Sequence, residues 1–162
     1  MADTFSQVYL HIVFAVRHRD HLIRPSFSEE LQKYMTGIVK SHNCKTLAIK
    51  AMPDHVHLFV SYVPGSSVSD MVREVKAYSS EFIKKKNWLS GFSWQQGYGV
   101  FSYSRSQISQ VIQYIQNQEE HHRHKSFREE YMKILKDFAV EMGNKEVFNW
   151  VMEEEKKKLE DE

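Results

Sequence analysis

The chain has 162 residues, which suits one domain, and its 41% hydrophobic and 27% charged residues exclude a disordered polymer. The apolar runs at 8–16 and 56–63 are too short to span a bilayer. The single cysteine, Cys44, excludes an internal disulfide framework, and a formal charge of +1 excludes a chain that is basic throughout. The start, Met1-Ala2-Asp3-Thr4-Phe5, lacks the basic-then-apolar pattern of a secretion signal, so a cytoplasmic protein is expected.

Residues 8–17 alternate, with Leu10, Ile12, Phe14 and Val16 pointing one way and Tyr9, His11 and Val13 the other. This predicts a strand covered on one face. A polar connection ends at Pro25, and Ser26 or Ser28 is expected to cap a helix running to about His42. Residues 44–52 read as a second strand, broken by Pro53-Asp54. Residues 55–63 alternate strictly and form a third, joined to the second as a hairpin. After Pro64-Gly65-Ser66-Ser67 comes a helix over about 68–86. The aromatic, glycine-containing stretch 88–101 then predicts a short strand near Trp94-Gln95 and another near 98–101. Ser104 or Ser106 starts a helix expected to run unbroken to about His122, and Ser126 precedes another through Phe138. The organisation is one domain over 1–140 and a charged helical tail over 141–162, where residues 152–162 hold three lysines and six acids.

The order β-α-β-β-α-β followed by helices predicts an α+β fold. It is a ferredoxin-like or RNA-recognition-like antiparallel sheet, with helices on one face and the other face free for a site.

In Asp54-His55-Val56-His57-Leu58, strand alternation puts His55 and His57 on one face and Val56, Leu58 and Val60 on the other. Two neutral imidazoles so spaced can share a divalent cation, although His-x-His in a strand is also common without one. On the helix after Ser106, Tyr114 and Gln118 are four residues apart and therefore neighbours on one flank, with His121 nearby. A tyrosine beside a metal-competent amide suits attack on a polarised phosphate, and it equally suits a boundary tyrosine among hydrated neighbours. Residues 71–86 carry Arg73, Lys76, Lys84, Lys85 and Lys86 against Glu74 and Glu81, either a phosphate-attracting patch or a solvated helix face. Trp94, Tyr98 and Phe101 are candidates for stacking on bases or for the core.

Taken together, several segments resemble the small single-tyrosine transposases of bacterial insertion sequences, within the HUH superfamily. They are Tyr9-Leu10-His11-Ile12-Val13-Phe14, Met52-Pro53-Asp54-His55-Val56-His57-Leu58, Trp94-Gln95-Gln96-Gly97-Tyr98-Gly99 with Phe101-Ser102, Tyr114-Ile115-Gln116-Asn117-Gln118 with His121-His122, and Ser126-Phe127-Arg128-Glu129-Glu130-Tyr131. They run in the family's order over roughly 5–138, and the tail after Trp150 matches none of its motifs.

The resemblance implies that His55, His57 and Gln118 hold a metal, Mg²⁺ or Mn²⁺, and that Tyr114 is the nucleophile of a transposase. Such an enzyme cleaves and rejoins single-stranded DNA with hairpin ends through a 5′-phosphotyrosine. It also implies a homodimer in which the tyrosine helix of one chain docks on the histidines of the other, a reach that glycines 91, 97 and 99 would permit. No general base is evident; His121 is a candidate, and equally a solvent-exposed helix-end histidine. A non-catalytic hairpin-binding module and a hydrolytic metal nuclease are the competing readings. A domesticated, repeat-associated relative shares the same motifs.

Overall fold

The alternating segments pair as strands in a four-stranded antiparallel sheet of order β2-β3-β1-β4, in a computed structural model that describes residues 3–18, 21–142 and 148. The strands are β1 (Val8–Ala15), β2 (Lys45–Ala51), β3 (His55–Tyr62) and β4 (Gly99–Tyr103). In the central pair, Ala15 lies opposite His55 and Val13 opposite His57. Helices α1 (Pro25–Ser41) and α2 (Val68–Lys85) cover one face. There Ile12, Phe14, Val56, Leu58 and Val60 pack with Leu31, Met35, Val39, Val72 and Val75. Each such side chain contributes roughly 1.5–3 kcal/mol by leaving water.

Helix starts follow local chemistry. Pro25 opens α1, where its fixed φ suits the first turn and its missing N–H costs nothing. Neither expected serine caps it: Arg24 is the N-cap, and the Ser28 hydroxyl donates to the Pro25 carbonyl at 3.2 Å. At α2 the Ser67 hydroxyl accepts the Asp70 N–H at 3.2 Å, the ordinary serine cap.

The opposite face is not free. After β4 and a single 3₁₀ turn (Arg105–Gln107), the chain folds back over the sheet as α3 (Ile108–Gln116), α4 (Gln118–His121) and α5 (Phe127–Asp137). Val111 and Ile115 of α3 pack on Ala48 and Phe59, while Phe127, Tyr131, Ile134 and Leu135 of α5 pack on Val13, Ala15 and Phe101. That face carries too much apolar surface to stay in water, so it recruits its own helices.

Three further expectations change. Near Trp94 there is a single bridge to Val16 and not a strand. The helix expected to reach His122 breaks at Asn117 (φ −93°, ψ 18°), a residue with poor helix propensity, and restarts as α4. Gly99 does not serve as a hinge: a Cβ there would lie 2.5 Å from Tyr131 Oη and 2.9 Å from Phe101 Cε2. Its missing side chain instead lets α5 approach the β4 edge.

Among the described residues no helix is long and apolar enough to cross a membrane. The expected tail helix lies outside the described residues, apart from residues 141, 142 and 148.

Candidate active site and metal centre

β3 presents His55 and His57 to the α3–α5 layer, and both rings are completely buried there. Their outer nitrogens are engaged. His55 Nδ1 lies 2.7 Å from Asp54 Oδ1, and His57 Nδ1 lies 2.7 Å from His11 Nε2 of the neighbouring strand. The Nε2 atoms therefore turn inward, the orientation that supporting hydrogen bonds give to metal-binding histidines.

Inside, they meet Glu130 from α5. Its Oε1 is 3.0 Å from His57 Nε2, 3.0 Å from His122 Nε2 and 3.5 Å from His55 Nε2. Its Oε2 accepts hydrogen bonds from the Tyr114 hydroxyl and, at 2.9 Å, from Gln118 Nε2. Gln118 Oε1 lies 3.3 Å from His55 Nε2. The structure thus brings together all four residues singled out for chemistry: Tyr114, His55, His57 and Gln118.

It also adds Glu130, His122, Asp54 and His11, which sequence reasoning had assigned no role. A signal for Glu130 was present. It stands on the apolar stripe Phe127, Glu130, Tyr131, Ile134 of an amphipathic helix, where a lone carboxylate calls for a partner.

The charges are strongly coupled. Burial works to lower the His55 ring, but Asp54 and Glu130 raise it to about 9. Burial pushes the His57 ring down against the pull of Glu130, and His11 falls well below its ordinary value through burial and its neighbour His57. Burial would raise the Glu130 carboxyl, yet His57, His122 and His55 hold it far below the usual carboxylate range. The Tyr114 phenol is pushed well above its ordinary value, first by burial and then by the negative charge of Glu130.

Ligand atoms of His55, His57, His122 and Glu130 lie within 4.8 Å of one another. Adjacent ligands of an octahedral ion with bonds of about 2.1 Å sit roughly 3 Å apart, close to the Glu130-to-imidazole separations. The donor set fits a divalent cation.

The family model described as "Transposase IS200 like" matches residues 4–118. The chain belongs to this family.

Among relatives of this IS200-like transposase, the ISDra2 transposase TnpA of Deinococcus radiodurans is 25% identical over 119 residues, covering 69% of this chain and 84% of that protein. A crystal structure described as a transposase of Deinococcus radiodurans R1 is similar, with a TM-score of 0.57 at 22% identity, over 73% of this chain and 95% of that one. So is a REP-associated tyrosine transposase bound to a REP hairpin, with a TM-score of 0.53 at 14% identity, over 75% and 74%. These structural likenesses agree with the antiparallel α+β fold.

The expected DNA-contacting residues do not gather at the site. Trp94 is in the core: its indole N–H donates to Ser79 Oγ at 3.0 Å and its ring meets Phe14 and Phe92 edge-on, so it offers no face to a base. Lys76 is half-buried, its ammonium donates to the Gln95 and Gly97 carbonyls, and burial lowers it to about 8. Lys76 thereby fastens the 95–97 loop to α2 and is not a loose phosphate contact. Arg73, Lys84, Lys85 and Lys86 are exposed, but α2 packs on the sheet face opposite the histidines. Arg73, Lys85 and Lys86 each pair with a carboxylate, of Asp70, Glu81 and Glu30. Tyr98 is partly buried, and its hydroxyl lies 3.2 Å from that of Ser69. Finally, Tyr114 lies over the histidines of its own chain, its ring edge-on to His57 at 5.8 Å.

Proposed function

We propose that this transposase cuts and rejoins single-stranded DNA with Tyr114 as nucleophile. The observation that carries the reading is the Tyr114 hydroxyl held within the same carboxylate cluster as the two inward-facing histidines.

In the forward step the Tyr114 oxygen forms a bond to the scissile phosphorus and the bond from phosphorus to the 3′-oxygen breaks. The Tyr114 phenol proton passes to water, and the departing 3′-oxygen takes one from water, so the step neither gains nor loses a proton overall. DNA stays attached through a 5′-phosphotyrosine, so another 3′-hydroxyl can reverse the step and join a new end without ATP.

A divalent ion, Mg²⁺ or Mn²⁺, held by His55, His57 and Gln118, would polarise the phosphate and offset the field that holds the phenol proton. Asp54 and His11 orient the two imidazoles, Gln118 holds Glu130, and Glu130 fixes the direction of the Tyr114 O–H. An open groove of about 620 Å³, lined by Met52, Pro53, Glu119, Arg123 and Lys125, reaches His122 and offers a single strand a route inward. Hairpin-ended DNA is the expected substrate. Tyr114 and the two histidines stand together within one chain, and the expected homodimer that shares its sites between subunits is tested by subunit mixing.

The test is incubation of the protein with end-labelled hairpin-bearing single-stranded DNA from the flanks of its own gene and Mn²⁺, followed by a denaturing gel. The expected result is a covalent protein–DNA band absent from Tyr114→Phe. Cleavage without an adduct would favour a hydrolytic nuclease, and binding without cleavage a recognition module.

A further inference from the structure

We propose that Glu130 and His122, which lie beyond the family-matched residues 4–118, are ligands of the metal alongside His55 and His57, and that this donor set selects a nitrogen-accepting transition ion such as Mn²⁺ over Mg²⁺. The inference rests on the metal-dependent reading above.

Glu130 arrives on α5, whose apolar stripe is anchored on Val13, Ala15 and Phe101 of the sheet, so its position is fixed by core packing. Its two oxygens face two directions. Oε1 stands among the three imidazole Nε2 atoms, and Oε2 holds Tyr114 and Gln118. An ion among the imidazoles is thereby linked through one carboxylate to the nucleophile. His122 follows the break at Asn117, which turns α4 so that its C-cap residue points back at Glu130. Among the described residues its buried Nδ1 has no hydrogen-bond partner, and Nε2 is the nitrogen turned to Glu130.

A purely structural ion pair would need one cation for one carboxylate. Here three imidazoles converge on a single oxygen, redundant for neutralising a charge and suited to surrounding an ion. Three imidazoles also exceed what Mg²⁺ favours, since that ion prefers oxygen ligands and retained water.

The experiment is Mn²⁺ binding to the full chain without DNA, by calorimetry, with pulsed electron paramagnetic resonance of the loaded wild type. Glu130→Gln and His122→Ala are each expected to weaken Mn²⁺ binding at least tenfold, and His55→Ala with His57→Ala to abolish it. The resonance spectrum should count three imidazole nitrogens, and Mg²⁺ should displace Mn²⁺ only in more than tenfold excess. Two nitrogens in the wild-type spectrum would overturn the assignment of His122 even if the variants fold poorly. Glu130→Gln binding Mn²⁺ within twofold of wild type would overturn that of Glu130. Equal competition by Mg²⁺ would overturn the selectivity. If the double histidine variant binds like the parent, the metal reading itself fails, a result distinct from all of these.

Discussion

Metal binding to this site should depend steeply on pH, because His55 must give up a proton to become a ligand. The ring is raised from 6.5 to about 9 by Asp54 and Glu130, against the lowering effect of burial. At pH 7 only about 1% of the metal-free protein holds His55 neutral, so affinity is weakened about 100-fold relative to pH 10. The apparent Kd for Mn²⁺ should fall about tenfold per pH unit from 7 to near 9 and then level off. The sign for folding is opposite. A raised pKa contributes stability that is complete below 6.5 and lost as pH rises through about 9, roughly 3 kcal/mol from this ring in the metal-free protein. Calorimetry under argon, in two buffers of different ionisation enthalpy, measures both Kd and protons released. About one proton should leave per Mn²⁺ at pH 7.5, and Asp54→Asn should move the inflection toward 6.5. A Kd that is flat from pH 7 to 9 with no proton released would refute the reasoning.

Tyr114→Phe should abolish covalent adduct and strand joining while hairpin binding stays within about threefold, since the ring against His57 is kept and only the oxygen is lost. Nicking by the purified variant would move the nucleophile elsewhere. Gly99→Ala should cost about 1–3 kcal/mol, because its Cβ meets Tyr131 Oη and the Phe101 ring. A thermal melt should show the loss, and Tyr131→Phe in the same chain should recover part of it; an unchanged melt refutes the close-approach argument. Mixing Tyr114→Phe with the His55→Ala, His57→Ala protein should restore no cleavage after proven subunit exchange. Recovery would mean that sites are shared between subunits.

Much of the fold was legible because period-two alternation and helix punctuation are local signals. Val8–Ala15 and His55–Tyr62 alternate apolar side chains, and Ser67 caps α2 as its sequence suggests. The second helical layer was harder to read, because Tyr9, His11 and Val13 look like an open strand face until Ala15, Phe59 and Phe101 are added to it. Within the site, His55 and His57 are neighbours along β3 at a spacing of two, and Tyr114 and Gln118, four residues apart, stay neighbours across the break between α3 and α4. Glu130 meets them only through tertiary packing, sixteen residues beyond Tyr114, past the break at Asn117 and the turn at 122–124. The break at Asn117 was also hidden, since Ile108 to His122 continues a helical pattern and one asparagine does not announce a turn. Trp94 stays open in the sequence for a general reason: an aromatic residue in a glycine-rich stretch looks the same whether it faces a base or, as here, Phe14 and Phe92.

On the proposed metal reading, the buried charges make a proton and a divalent cation alternatives at this site. Asp54 and Glu130 are 3% and 2% exposed, and two carboxylates so deep need compensating positive charge. His55 supplies positive charge there, its ring donating outward to Asp54 and facing Gln118 and Glu130 inward, with His57 and His122 also against Glu130. A divalent ion held by the inward nitrogens would supply more positive charge at the same place, and the proton on His55 would then be both unnecessary and repelled. Such an exchange would reach Tyr114 through Glu130. Burial raises the Tyr114 phenol first and the negative charge of Glu130 adds to it; a cation held by Glu130 would offset the second contribution. Tyr114 is therefore least acidic when the metal is missing. On the proposed reading, Tyr114 without the ion would be a poor nucleophile whatever DNA is bound.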